Sequence, residues 1–569
     1  MYQFPCFSLI RRPSVLIILF LLFSHFSFGQ KLQGKKLEQV IESAIQRSFA
    51  ACVKIRAFDT TAKEQMSAPF SGVVVTEDGH ILTAAHVIMP GNTYQVTFPG
   101  GKKCIAIALG KITKTQIIPD VGMMKIITAG HWPYAPMGHS YSLRINEPCI
   151  SISYPESLYQ DFPIVRFGYI TNVKNEKGFI QSTCIMEPGD SGGPLFDYNG
   201  NVIGLHSAIE VSEKMNFDVP VDLYRKYWKP LNIPRTYHSF PKVARDDMSD
   251  SIEENIAVVD TNNLYGNYFK KIMSKYSKTC VKIVSGLNGN RREALGTLFN
   301  IKLKNGKQKA FIISKSSIVY NDSIWIFTPR DKIYASVVTR DKNNDMVLLK
   351  PVSCIKGGIK FARLRRHPAT GVRACRFIVS LLPNATGICS TTGSGPVKMK
   401  KMYSMGSFGA GILYKDSAIL LNKIQPGSPA DIRGMRTGDV LISINDRSIP
   451  DASEFFNVLS QFWPGDTIII KLKRSGALLE KSITLKPVYI PQSEHPADHF
   501  EGGPSTIRDG FDKVFTHDAI LHPEMCGGPV YDSNGFFCGI NIARHSRAST
   551  LTMPASVVFY FIEEAVKSN

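Results

Sequence analysis

His86, Asp120 and Ser191 offer, in that order along the chain, the parts of a nucleophilic site. A serine hydroxyl is a weak nucleophile at neutral pH and needs an adjacent base to take its proton. An imidazole, with an ordinary pKa of about 6.5, suits that role. A buried carboxylate holds the imidazole tautomer and stabilises the imidazolium that forms. The chemistry implied is acyl transfer through an ester on Ser191. The flanks agree with it. Gly189, two residues before the serine, can turn backbone N–H groups inward, so that the N–H groups of Gly189 and Ser191 form an oxyanion hole, worth about a hundredfold or more in rate. Gly192 and Gly193 permit the tight turn that follows, and Pro194 fixes its exit. Taken singly, His86 could be a core histidine, Asp120 a turn initiator after Pro119, and Gly189 to Gly193 a surface turn. Their order and strand context together favour catalysis.

The elements that must position these side chains emerge when the chain is compared with itself. Ala51-Cys52-Val53-Lys54-Ile55 resembles Thr279-Cys280-Val281-Lys282-Ile283. The run Ile81 to Ile88, which holds His86, resembles Ile312 to Val319, and Pro119 to Lys125 resembles Asn344 to Lys350. Pro188 to Asp197 resembles Pro523 to Asp532. The base-to-acid interval is 34 residues in the first copy and 28 in the second. The acid-to-nucleophile interval grows from 71 residues to 181, so about 110 residues are inserted in the second copy. Both copies consist of short β-branched and aromatic runs broken by turn residues, the pattern of an all-β sandwich or barrel.

The insert reads differently. Pro426 to Ala430 leads into a short helix ending near Gly434, and Gly438 to Asp446 is a turn into an alternating strand. Asp451 to Phe462 has the apolar spacing of an amphipathic helix, and Ile468 to Leu472 is a further strand.

Residues 36 to about 235 resemble the trypsin-fold protease domain of the HtrA/DegP family. The resemblance rests on Gly72 in Phe70 to Val75, on Gly79 to Val87, on Asp120 and on Gly189 to Pro194. The chain order of the triad is that of chymotrypsin-like proteases. Asp190 departs from the asparagine frequent in that family, and trypsin-type zymogens pair such an aspartate with a new N-terminus. No activation site is evident, so that mechanism is not carried over. Six residues before the nucleophile stands Ile185, expected at the base of the specificity pocket, where it would favour small or aliphatic side chains. Residues Phe408 to Pro487 resemble a PDZ domain, with Phe408, Gly409, Ala410 and Gly411 at the carboxylate-binding loop. Such a domain adds an extended peptide to a sheet edge and holds its C-terminal carboxylate with backbone N–H groups.

The second copy keeps the acid as Asp345, but Ser317 stands at the base position and Cys526 at the nucleophile position. Without an imidazole the thiol has no evident base. Glu524 and Met525 replace Gly189 and Asp190, so the hole is in doubt. His517 and His522 are the candidate substitutes for the base. The expectation is a catalytically dead copy, structural or peptide-binding.

The fold expected is mostly β: two trypsin-like double β-barrel domains, the second degenerate and interrupted by a PDZ-like α+β domain. The boundaries read as a signal peptide at 1–29, a protease domain at 30–235, a linker at 236–270, a first part of the degenerate domain at 271–400, the PDZ-like domain at 401–488 and the second part at 489–569. A chain of 569 residues requires several cores. Arg11 and Arg12, the apolar run Ser14 to Phe28 and Ser27-Phe28-Gly29 make the signal. The protein is thus expected in the periplasm or secreted, with an uncleaved, membrane-associated form as the alternative, and without a transmembrane span once the signal is cleaved. Ten cysteines remain after the signal, dispersed and without C-x-x-C, so no metal or cofactor is expected, and buried free thiols are as acceptable as disulfides. The formal charge of +20 draws the surface to anionic partners. No nucleic-acid motif is present, and the partners expected are polypeptide substrates and peptide C-termini. The family resemblance implies a trimer. Lys35 to Phe49 reads as a helix with Leu37, Val40, Ile41, Ala44 and Ile45 on one face, either an oligomer contact or a face packed on its own barrel. Two functions follow: an exported serine endopeptidase acting on unfolded or damaged envelope proteins, or a chaperone-like scaffold with marginal proteolysis.

Overall fold

The β-branched runs form strands, and the two copies form them in matching register. The computed structural model describes residues 31–113, 119–158, 161–242, 258–287, 290–302, 306–361, 373–488 and 494–567. The expected signal peptide and much of the expected linker lie outside these residues.

After the helix α1 (Gly34–Ser48), the first unit builds one barrel from β1 (Cys52–Asp59), β2 (Phe70–Val74), β3 (His80–Thr83), β4 (Thr93–Thr97), β5 (Lys103–Ile112) and β6 (Val121–Ile126). Its order is β5-β4-β1-β2-β3-β6, with β6 pairing back on β5. A second, closed barrel follows from β7 (Pro148–Ser153), β8 (Ile164–Asn172), β9 (Ile180–Ser182), β10 (Pro194–Asp197), β11 (Val202–Ile209) and β12 (Asn216–Pro220). The chain does not leave this unit at residue 235, because Thr236 and Tyr237 add in parallel to Lys111 and Ile112 of β5.

The second unit repeats the first barrel with β13 (Cys280–Leu287), β14 (Asn290–Lys302), β15 (Gln308–Lys315), β16 (Asp322–Phe327), β17 (Lys332–Asp341) and β18 (Met346–Pro351). Register carries the duplication. Cys52 faces Val73 and Val53 faces Gly72, while Cys280 faces Thr297 and Val281 faces Gly296. Its second half is a six-stranded sheet split by the insert: β19 (Phe377–Leu382) and β20 (Thr386–Thr391) precede it. The insert contributes β21 (Ala410–Lys415), β22 (Ala418–Ile424), β23 (Val440–Ile444), α2 (Ala452–Leu459), β24 (Thr467–Arg474) and β25 (Ala477–Thr484). The sheet then resumes with β26 (Phe515–His517), β27 (Pro529–Asp532), β28 (Phe537–Ser546) and β29 (Ser549–Pro554). The bridges Thr392 to His517 and Val397 to Val514 join the ends of its two outer strands.

The insert has its own core around Phe408, Leu441, Phe455 and Ile470. The first barrel of each protease-like unit has its own cluster, and one larger cluster spans the two units. Leu37, Ile41 and Ala44 of α1 are buried in a cluster that runs into Phe377 and Ile540 of the second unit. Glu38 accepts a hydrogen bond from the Phe377 N–H at 3.0 Å. Of the two alternatives for this face, the structure shows packing inside the chain, against the second unit as well as the first. Val165 of β8 donates to the Gly393 carbonyl at 3.0 Å across the same boundary. The ten described cysteines are free. No helix of the described residues is long and apolar enough to cross a membrane.

Candidate active site

His86 sits on a short 3-10 turn after β3, Asp120 just before β6 and Ser191 on the loop before β10. The fold brings all three together. His86 Nε2 lies 3.1 Å from Ser191 Oγ. Its Nδ1 donates to Asp120 Oδ2, while the His86 backbone N–H donates to Asp120 Oδ1 at 2.8 Å. Ser207 Oγ, on β11, adds a third hydrogen bond to Asp120 at 2.9 Å. Burial works to raise the Asp120 carboxyl, but the bonds from His86 and Ser207 outweigh it and hold the group below its ordinary value. An ionised, fully enclosed Asp120 fixes the ring with Nε2 facing the serine. That is the arrangement a general base needs.

The oxyanion loop is built by close packing. Gly189 has φ of +93°, and a Cβ there would stand 2.4 Å from the Glu156 nitrogen. Gly192 has φ of +78°, and its Cβ would stand 2.0 Å from Thr83 Oγ1. Neither position accepts a side chain. The Pro188 carbonyl accepts from Glu156 N–H at 2.8 Å. In a trans peptide the carbonyl and the following N–H point oppositely, so this bond turns the Gly189 N–H towards the cleft. Among the described residues, the N–H groups of Gly189 and Ser191 donate to no protein acceptor. Two donors without a protein acceptor, one on the nucleophile itself and one two residues before it, are what a tetrahedral oxyanion requires.

Asp190 has an internal cation partner. Arg166 on β8, fully buried, donates to Asp190 Oδ2 at 2.7 Å, and Ser153 donates to Oδ1 at 2.8 Å. Burial opposes the charge on Arg166, but Asp190 and Glu187 outweigh that and raise its affinity for the proton. A permanent side-chain cation thus neutralises Asp190 within the folded unit. The sequence held a signal for it: a lone arginine inside the apolar run Ile164-Val165-Arg166-Phe167.

The cleft beside Ser191 measures about 250 Å³ and is lined by His86, Met186, Ala208, Ile209, His495 and Pro496 among others. Ile185 is not in it. Ile185 faces a separate cavity with Phe167, Tyr169 and Tyr265, at the boundary of the two units. The extended segment alternates its side chains, so the neighbour Met186 takes the expected place. His495 and Pro496 come from the segment after the insert, a contribution that spacing within the protease domain could not reveal.

In the second unit the backbone frame is retained around different side chains. Ser317 N–H donates to Asp345 Oδ1 at 2.7 Å, as His86 N–H does to Asp120. Leu295 N–H donates to the Cys526 carbonyl at 3.2 Å, as Ser71 N–H does to that of Ser191 at 3.0 Å. Asp345, however, is neutralised by Lys315 Nζ at 2.6 Å and bonded by Ser317 Oγ at 2.8 Å. Cys526 is fully enclosed, and burial pushes its thiol up against the opposing pull of Lys315. His517 donates to or accepts from Asn541 and Ser390, and burial drops its pKa to about 4. His522 lies instead 3.5 Å from each of Glu501 and Glu524. Neither histidine is hydrogen-bonded to Cys526, so the candidate substitutes do not assemble a base.

In the insert, β21 is a free sheet edge beside α2, and Gly409, with φ of +81°, packs against Ser428. Phe408 is buried against Phe455, an anchor of the loop rather than a lining group. Gly409 lines a cavity of about 400 Å³ with Gln425, Gly427, Ser428 and Lys486, while Ala410 and Gly411 start β21. Asp509 fixes the entry to this domain by accepting the N–H groups of Met402, Tyr403 and Ser404 at 2.6–3.0 Å.

Comparison with known proteins finds two matching family models. Residues 70–205 match the trypsin-like peptidase domain, and residues 399–485 match the PDZ domain. The particular likeness is to HtrA/DegP-type serine proteases with a PDZ domain. A probable periplasmic serine endoprotease DegP-like of Halomonas elongata is 28% identical over 206 residues, 34% of this chain and 42% of that protein. Serine protease HTRA1 of Xenopus tropicalis is 31% identical over 197 residues, 33% of this chain and 42% of that protein. A probable periplasmic serine endoprotease DegP-like of Chlamydia trachomatis is 34% identical over 146 residues, 24% of this chain and 28% of that protein. The chain thus spans less than half the length of each of these relatives.

Proposed function

We propose that the chain is an exported serine endopeptidase that cleaves unfolded or damaged envelope proteins. The observation that carries the reading is the Asp120–His86–Ser191 chain of hydrogen bonds beside two unpaired N–H groups. His86 removes the Ser191 proton as Oγ attacks the scissile carbonyl. The N–H groups of Gly189 and Ser191 receive the oxyanion. His86 then protonates the leaving amine, and water resolves the acyl-enzyme by the same route. Met186, Ala208 and Ile209 in the cleft favour an apolar residue before the scissile bond over lysine or arginine. The open edge of β21 takes an extended peptide C-terminus. Relatives named as probable periplasmic serine endoproteases support export and endoproteolysis.

Degradation of unfolded casein tests the reading. The parent chain is expected to cleave it, and Ser191→Ala to lose about 10⁶ in turnover. Retention of the parent rate in Ser191→Ala would refute the assignment. A chain inactive under every condition, with peptide ligand included, would favour the scaffold.

A further inference from the structure

The tip of the β28–β29 hairpin in the second unit carries Arg544, His545 and Arg547, each at most 3% exposed. Burying two guanidinium groups is costly unless their donors are matched. Here many of the matching acceptors belong to the first unit. Arg547 donates to the Glu210 carbonyl at 2.8 Å and the Ser212 carbonyl at 3.0 Å. Arg544 donates to Glu213 Oε1 at 3.2 Å and, within its own unit, to the carbonyls of Ala519 and Arg547. His545 Nε2 lies 3.0 Å from the Ser157 carbonyl, and its Nδ1 lies 2.8 Å from the Arg508 carbonyl.

These contacts end where the active site is shaped. The 210–213 turn joins β11, which holds Ser207 and the cleft residue Ile209, to β12. The Glu213 carbonyl accepts from Asn216 Nδ2 at 2.7 Å, and Asn216 Oδ1 accepts from the Met186 N–H at 3.0 Å. The 156–158 turn supplies the Glu156 N–H that orients the Pro188 carbonyl, and Ser157 Oγ donates to Glu187 at 3.0 Å. One arm thus runs from the hairpin to Met186, the other to Glu187 and Pro188. Both converge on the segment that carries Gly189 and Ser191.

We propose that the degenerate unit is a positioning clamp for the oxyanion loop of the first, with Arg547 and His545 as positioning residues. The loss of a triad in the second unit is consistent with this role. Its retained frame holds the hairpin, and the hairpin holds the loop. The inference rests on the serine-protease reading of Ser191.

The test uses the full chain and a serine-reactive fluorophosphonate. Arg547→Met removes the donors to the two carbonyls and keeps much of the side-chain volume. The expected result is a fall of tenfold or more in the phosphonylation rate of Ser191, carried by the bond-forming step, with little change in the reagent's binding constant. Far-UV circular dichroism and affinity for a peptide with an apolar C-terminus should match the parent. Arg547→Lys should recover part of the rate. A rate within threefold of the parent in folded Arg547→Met overturns the clamp and leaves the protease reading intact. A parent chain that never labels at Ser191 overturns the protease reading itself. If Arg547→Met fails to fold, Glu213→Gln decides. It weakens the other hold on the same turn, and an unchanged labelling rate there overturns the proposal as well.

Discussion

The first and second units place the same backbone hydrogen bonds around different side chains. In one, a carboxylate receives an imidazole and the ring reaches a serine. In the other, the equivalent carboxylate receives a lysine and a serine hydroxyl, and the thiol beyond is enclosed. The barrel frame therefore does not create the site. It offers positions at which a handful of residues decide between chemistry and support. The difference in surroundings is as large as that in identity. His86 keeps 42% of its side chain exposed to a cleft, whereas Cys526 opens on nothing.

The sharpest break in the comparison comes from the orienting acid. Asp120→Asn keeps the shape but exchanges the partner of Nδ1, and turnover should fall about 10⁴-fold with little change in unfolding midpoint. Steady-state kinetics with a peptide of apolar character before the scissile bond reads this out. A loss below tenfold would place the base elsewhere.

Arg166→Met probes the internal cation. Removing one partner of a buried pair leaves Asp190 uncompensated, at about 3–5 kcal/mol. Urea unfolding should show that loss, with proteolysis falling alongside. Unchanged stability would show that Asp190 finds its neutralisation from another group.

The smallest expected effect is in the second unit. Cys526→Ser with Ser317→His, placed in the Ser191→Ala background, should recover no hydrolysis. Lys315 still occupies Asp345 and no cleft opens at position 526. Any serine-dependent turnover from that variant would show that the second unit is two substitutions away from activity.

Much of this architecture was legible in the sequence. The triad order, the repeated segments and the inserted domain all rest on residues that keep their type because local chemistry or β-pairing demands it. Gly72 and Gly296, for instance, share a close crossing where a Cβ would stand 2.8 Å from Ile55 and 2.6 Å from Ile312 respectively. What escaped depends on long-range meeting. Ile185 and its neighbour Met186 face different cavities, because an extended segment reverses face at each step, and spacing alone does not fix the phase. Arg166 meets Asp190 only after β8 closes the barrel. His495 reaches the cleft from a segment hundreds of residues downstream, and Arg547 reaches Glu210 and Ser212 from the other unit. No periodicity encodes such meetings.

The most direct measurement is fluorophosphonate labelling of the full chain, with the modified peptide identified by mass spectrometry. One adduct is expected, on Ser191, which is lost in Ser191→Ala and unaffected by Cys526→Ser. An adduct that survives Ser191→Ala, or none on Ser191 with peptide ligand present, would contradict the assignment of Ser191 as the nucleophile.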